Sequence, residues 1–394
     1  MKRINTSRLL FFLLSLALVV PLLSGTLLGA PATGDEESDG DSFYKYLSVF
    51  TEVLRLVRQV YVEEPDIQSL MAGALDGASD ALDPFSVYVP PERVQDYIAA
   101  RAVGERHTGL LLLKERGVVY VASVEEGSPA AAGGLERADI ISKIEGVSSR
   151  ALPLWQIRQL LARDEGEELE LEVVRRGESR DVTLELKRFA RTPARLAPQQ
   201  GVSVLRIPGF GPDTAERVAE LLAGVGDGPL LVDVRGVAGG DPEAAYAVGR
   251  RFASGELGSL VERSGSSRSF SSTSPAAWKG SGLAVLVDRG TQGSAEILAA
   301  ILHQGAGATM LGEETFGHAG RAAQVRLAGG GLLEITDAFY TGPDGKPLRE
   351  GIEPDVEITV PFQVLTQKEE DGDPILERAV EVVLESLAPA AEAA

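Results

Sequence analysis

The sequence predicts an α/β multidomain chain with a helical N-terminal region, a small β-barrel-like domain with helices, and a larger α/β core. Three observations predict it. Apolar residues recur at helical spacing at Phe43, Leu47, Phe50, Val53, Leu54, Val57 and Val60. Between residues 107 and 187, short β-branched runs alternate with turns, and one helical stretch interrupts them. From Gly201 strands and helices alternate, which implies a largely parallel sheet with covering helices. A chain of 394 residues has room for two or three such domains.

At the start, Lys2, Arg3 and Arg8 precede an apolar run over residues 9–30. Residues 1–32 read as a signal peptide, with a small-residue cleavage site at Ala30-Pro31-Ala32, or as an uncleaved membrane anchor. Both readings place the rest outside the cytoplasm, in the periplasm or cell envelope, anchored to the inner membrane if the run is retained. Residues 33–42, acidic with Gly and Ser, read as a flexible spacer. The helical region, 43–104, contains the first amphipathic helix, a second over 67–82 ended by Asp83-Pro84, and a third over 91–100.

The β-rich domain, 105–187, has strands over 118–124, 140–144, 169–175 and 181–186, with a helix over 153–162. Residues 188–200 read as a linker. The core, 201–361, opens with strands at 202–207, 230–234 and 283–287, and its helices fall at 214–223, 242–254 and 295–303. Residues 362–394 hold a closing amphipathic helix, 373–387, and a frayed tail.

Composition removes several functions. With 38 basic and 58 acidic residues the net charge is −20 and no basic block exists, which disfavours nucleic acid as a partner. Cysteine is absent, so disulfides, thiolate chemistry and Cys-ligated zinc are excluded. The three histidines, His107, His303 and His318, are too scattered for a metal centre. No cofactor and no metal are expected.

The string Ser128-Pro129-Ala130-Ala131-Ala132-Gly133-Gly134-Leu135, followed by Ala138-Asp139-Ile140-Ile141, resembles the signature of PDZ domains. That resemblance implies a peptide added as an extra strand beside the 153–162 helix, its terminal carboxylate capped by backbone N–H groups. The capping loop is expected at His107-Thr108-Gly109-Leu110-Leu111, with Thr108, Gly109, Leu110 and Leu111 as the peptide-binding residues.

Gly290-Thr291-Gln292-Gly293-Ser294-Ala295-Glu296-Ile297 and Thr315-Phe316-Gly317-His318 resemble the active-site segments of the C-terminal processing (tail-specific) serine peptidases. Tyr61-Val62-Glu63-Glu64, the run from Leu82 to Tyr88, Leu231-Val232-Asp233-Val234-Arg235-Gly236-Val237-Ala238-Gly239-Gly240, and Glu350-Gly351-Ile352-Glu353-Pro354-Asp355 extend the likeness. It implies a nucleophilic Ser three residues before Glu296, a Lys base 25 residues further on, and a Gln four residues after that. Those places hold Gly293, His318 and Ala322. The resemblance makes Gly239 and Gly240 the oxyanion-side glycines, while Gly236, Val237 and Ala238 depart from its pattern.

The expectation is a pseudopeptidase that binds peptide or protein C-terminal segments, or regulates proteolysis, without cutting. The alternative is an active serine endopeptidase that trims tails of exported proteins through a rearranged Ser294/His318 pair, with Gln324 as the displaced polar partner. Two arguments weigh against it. A one-residue shift within a helix turns a side chain by about 100°. Ser294 also suits a helix N-cap, with Glu296 adding favourable charge to the first turn.

Overall fold

The computed structural model describes residues 39–103, 108–190, 192–265, 267–358 and 373–387. The predicted leader, His107 and residues 359–372 lie outside the described residues. The chain divides into two compact units at residue 70. In the first, the apolar spacing becomes α1 (Asp39–Val60). This helix begins inside the predicted spacer, because a run rich in Asp and Ser is as compatible with a helix start as with a tether. Asp66 then accepts from the Gln68 N–H at 3.0 Å and the Ser69 hydroxyl at 2.6 Å, setting the start of α2 (Ile67–Asp80).

The second unit, from Met71 onward, carries everything else. After α2, Asp83 accepts from the backbone N–H groups of Phe85 and Ser86, at 2.8 and 2.7 Å. The turn delivers β1 (Val87–Val89), followed by α3 (Val94–Val103). β1 pairs antiparallel with a strand far along the chain, so the region predicted as helical also supplies a sheet edge. Val-Tyr-Val suits a strand, but its partner lies beyond any local pattern.

The β-rich domain comprises β2 (Leu110–Glu115), β3 (Val118–Val124), α4 (Pro129–Ala132), β4 (Ile140–Ile144), β5 (Val147–Ser148), α5 (Leu154–Leu161), β6 (Glu168–Arg175) and β7 (Glu178–Glu185). Its sheet runs β2-β3-β4-β6-β7, with β5 beside β4. Alternate residues of these strands, among them Leu112, Val119, Val121, Leu169, Leu171 and Val173, close one core with Ile157 and Leu161 of α5. Leu110 and Leu111, expected in the capping loop, are already the first residues of β2.

The predicted linker needs correction. Within 188–200, β8 (Arg195–Gln199) pairs antiparallel with β9 (Val202–Arg206) and forms an edge of the core sheet. Its charged and polar residues suit an edge facing water, which is why the run reads as a connection. The core continues with α6 (Thr214–Leu222), β10 (Leu230–Asp233), α7 (Pro242–Gly249), β11 (Gly255–Glu262), β12 (Ser267–Ser272), β13 (Leu283–Val287), α8 (Ser294–Ala300), β14 (Thr309–Gly312), β15 (Gly320–Arg326), β16 (Leu332–Tyr340), β17 (Val356–Glu357) and α9 (Pro374–Leu387). The predicted 295–303 helix passes after Ala300 into a π turn, Ile301–Gly305.

The main sheet has the order β17-β14-β13-β10-β9-β8, parallel except at β8. The parallel strands succeed one another in one direction, so right-handed crossovers put α6, α7 and α8 on the same face. Leu230, Val232, Val285 and Val287 point to that face, together with Val218, Tyr246 and Ile297. Leu231, Ala284 and Leu286 point to the other, where Ala379, Val380 and Val383 of α9 cover them. A second sheet, β1-β16-β11-β12 with β15 on β16, stands beside the core.

Candidate active site

The site forms where β13 ends and turns into α8. Asp288 organises that turn: its Oδ1 accepts from the N–H groups of Gly236 and Gly290 and from the Thr291 hydroxyl, at 2.8, 3.0 and 3.1 Å. The Gln292 N–H donates to the Val237 carbonyl at 2.9 Å, tying the turn to the glycine loop that follows β10. At the apex Gly293 adopts φ 61°, ψ −115°. This is the sharp strand-to-helix bend that presents a nucleophile in many hydrolases, and a side chain there is strained. A Cβ on Gly293 would lie 3.6 Å from the Gly239 nitrogen and 3.8 Å from the His318 carbonyl oxygen. The structure therefore brings the Gly293 apex, the Gly239 nitrogen and the loop carrying His318 together.

Glu296 is the residue that sequence reasoning undervalued. It is fully buried, and its Oε1 accepts from the Thr315 hydroxyl at 2.5 Å and the Gly317 N–H at 2.6 Å. Its Oε2 accepts from the N–H groups of Gly293 and His318, at 3.1 and 2.9 Å. Burial pushes the carboxyl's pKa up, although the four donors oppose the shift. One side chain thus staples the elbow to the 315–318 loop. The signal available beforehand was its fixed place in the motif, which says nothing about the loop it would reach.

Ser294 is the first residue of α8, and Gly293 occupies the cap position expected for it. It is 1% exposed, and its hydroxyl has no hydrogen-bond partner among the described residues. The cap reading fails because Gly293 takes the bend, leaving Ser294 already helical. Nor is Ser294 bonded to His318. The His318 ring stacks on Phe85, centroids 3.9 Å apart and planes at 18°, and meets Phe339 edge-on at 5.6 Å. Burial lowers its pKa, with Asp83 pulling weakly the other way. These contacts make His318 a packed ring rather than a base aimed at a hydroxyl.

Ala322 lies on β15 and lines the same cleft as Gly293 and His318. Gln324 does not join them: its side-chain amide donates to Glu334 across the β15–β16 pair at 3.0 Å. Gly239 and Gly240, with φ 73° and 92°, form the opposite wall. A Cβ on Gly240 would crowd Phe210 at 3.0 Å.

The cleft has a volume of about 230 Å³, and Leu110, Leu111 and Leu112 of β2 and Arg158 and Leu161 of α5 line it as well. β2 and α5 of the β-rich domain therefore open onto the same cleft as Gly293. In the capping loop, Thr108 Oγ1 accepts from the Leu110 N–H at 3.2 Å, and the Gly109 carbonyl accepts from Glu125 at 2.8 Å. Gly109, at φ 69°, packs against Ser128 where a Cβ would collide.

Residues 201–358 match peptidase family S41, and residues 120–175 match the PDZ domain. The chain is a C-terminal processing peptidase homologue with a PDZ domain, as its motifs implied. The carboxy-terminal processing protease CtpA of Bacillus subtilis (strain 168) is 25% identical over 365 residues, covering 90% of this chain and 78% of its own length. CtpB of the same organism is 26% identical over 345 residues, covering 84% and 71%. A photosystem II D1 C-terminal processing protease shares the fold, with a TM-score of 0.62 and 22% identity over 77% of this chain and 86% of that one.

Proposed function

We propose that this chain is a non-cleaving pseudopeptidase that binds C-terminal segments of peptides or proteins in the cleft shared by its PDZ domain and its peptidase-like core. One observation carries the reading: the elbow is held in shape by Glu296 and Asp288, yet its apex is Gly293 and has no nucleophile. Covalent peptide-bond hydrolysis needs a nucleophile, a base within hydrogen-bond reach and an oxyanion hole. Here Gly293, the ring-packed His318 and Ala322 stand in the places of nucleophile, base and orienting group. Thr108, Gly109, Leu110 and Leu111 with α5 supply the peptide groove.

The leader 1–32 directs the chain out of the cytoplasm, into the periplasm or cell envelope, where exported proteins supply such tails. The test is binding followed by inspection of the ligand. A labelled unstructured peptide should bind saturably and be recovered with unchanged mass after prolonged incubation. Recovery of cleaved peptide at a rate proportional to protein would contradict the reading.

A further inference from the structure

His318 stands in the cleft wall as a half-buried ring. One face lies on Phe85, with centroids 3.9 Å apart, and Phe339 meets the ring edge-on at 5.6 Å. Gly320 makes room for it: a Cβ there would lie 2.8 Å from Nε2 and 2.7 Å from the Thr336 methyl group. Among the described residues, His318 is hydrogen-bonded through its backbone N–H, to Glu296, and not through its ring. A neutral imidazole suits this seat, because stacking needs no counter-charge. An imidazolium does not, because among the described residues no carboxylate receives either of its N–H groups.

The charges around the ring are committed elsewhere. Asp83, on the turn before β1, accepts from the N–H groups of Phe85 and Ser86 and from the Ser86 hydroxyl. Glu296 is held by the four donors described above. On β16, Asp337 pairs with Arg321 at 2.6 Å, and Glu334 accepts from Gln324 at 3.0 Å and faces Arg158 at 3.5 Å. Burial raises the pKa of Tyr340 on the same wall, so its hydroxyl stays neutral. Burial lowers that of His318, and Asp83 opposes the shift. Leu161, Ile297, Gly293 and Ala322 bring no charge to the cleft. An apolar segment seated there takes water from the open side of the ring and disfavours its charged form further. The segment and the proton therefore compete.

We propose that His318 makes occupation of the cleft proton-dependent: an apolar segment of a bound peptide or protein is held while the ring is neutral and released when it is protonated. This rests on the peptide-binding reading above and adds its regulation. The bound state has the lower His318 pKa, so affinity is complete at neutral pH and falls as pH drops through the value of the free chain.

The test is isothermal titration calorimetry of the full chain with an N-acetylated octapeptide ending in Leu-Val-Ala, whose terminal carboxylate is its one titrating group. From about pH 7.5 to pH 5.0 the affinity should fall about fivefold or more, and binding near pH 5.5 should release protons, read from buffers of different ionisation enthalpy. His318→Phe keeps a ring in the stack and His318→Gln keeps a polar side chain. Both, with folds checked by circular dichroism, should show a shallower dependence and less proton release. A dependence as steep in both variants would assign the effect to another group, such as His107 or His303, and overturn the inference while leaving peptide binding intact. Affinity that rises on acidification would show the imidazolium attracting the peptide, and would overturn it too. Binding at no pH would reject the peptide-binding reading and the inference with it.

Discussion

At residue scale, three neighbouring positions behave in ways their identities do not announce. Gly293 relieves the elbow of strain that a nucleophile would impose. Gly293→Ser should cost about 1–3 kcal/mol of stability, because φ 61° with ψ −115° is unfavourable for a residue with a Cβ, although no atom blocks the space. Urea denaturation measures this. Restoration of Ser, Lys and Gln together, by Gly293→Ser, His318→Lys and Ala322→Gln, tests whether the framework still supports chemistry. Each single change should remain inert, since members of a catalytic unit act non-additively.

Ser294→Ala should leave stability unchanged or slightly raised, because it deletes a buried hydroxyl that has no partner. A clear loss of stability would show that the hydroxyl has a partner after all. His318 gives a pH signature. Its pKa is lowered on folding below the ordinary 6.5, so the unfolded chain binds its proton first. The stability contributed by the neutral ring is complete above 6.5 and declines as pH falls toward the folded value. His318→Phe keeps a ring between Phe85 and Phe339, and its denaturation midpoint should fall less between pH 7.5 and 5.5. Identical pH dependence in the two proteins would contradict this.

At element scale, Glu296 links α8 to the loop before β15. Each carboxylate oxygen serves two donors, so an amide in either orientation turns an NH₂ toward hydrogens. Glu296→Gln should therefore destabilise by about 2–4 kcal/mol, read from chemical denaturation, and hydrogen exchange should quicken at Gly317 and His318. Unchanged exchange there would remove Glu296 as the staple.

Elements also show what the sequence could and could not reveal. Strands such as β10 and β13 are legible because an unbroken apolar run bounded by turns means a strand buried on both faces. β1 and β8 are not, because each owes its strand state to a partner: Val87–Val89 pairs with β16 and Arg195–Gln199 with β9. That Gly293, His318 and Ala322 stand where the family has Ser, Lys and Gln is what the resemblance implies. The three-dimensional facts lie beyond it: Ser294 without a partner, Gln324 spent on Glu334, and His318 stacked on Phe85 all depend on residues brought from elsewhere.

At the scale of the whole molecule, polar clamps fix the PDZ domain to the core. Glu126 accepts from Arg195 at 2.8 Å and from Arg206 at 3.3 Å, and the Ser123 hydroxyl donates to the Gly236 carbonyl at 2.7 Å. Arg137 faces Asp288 at 3.8 Å and Glu313 at 3.6 Å. Burial alone would push the Glu126 carboxyl up, but the two arginines hold it below the usual range. Glu126→Ala should loosen the domain and speed tryptic cleavage after the exposed Arg188, as followed by gel. An unchanged cleavage rate would show that the remaining clamps suffice.

These clamps hold the PDZ domain against the loop after β10 and the turn before α8, and the proposed lack of a nucleophile at Gly293 makes turnover the decisive quantity. The measurement is hydrolysis of an unstructured protein such as unfolded casein by the unmodified chain, alongside its Ser294→Ala variant. The account predicts no turnover by either. Turnover by the unmodified chain that disappears in Ser294→Ala would show that the nucleophile has moved by one residue, and would contradict the account.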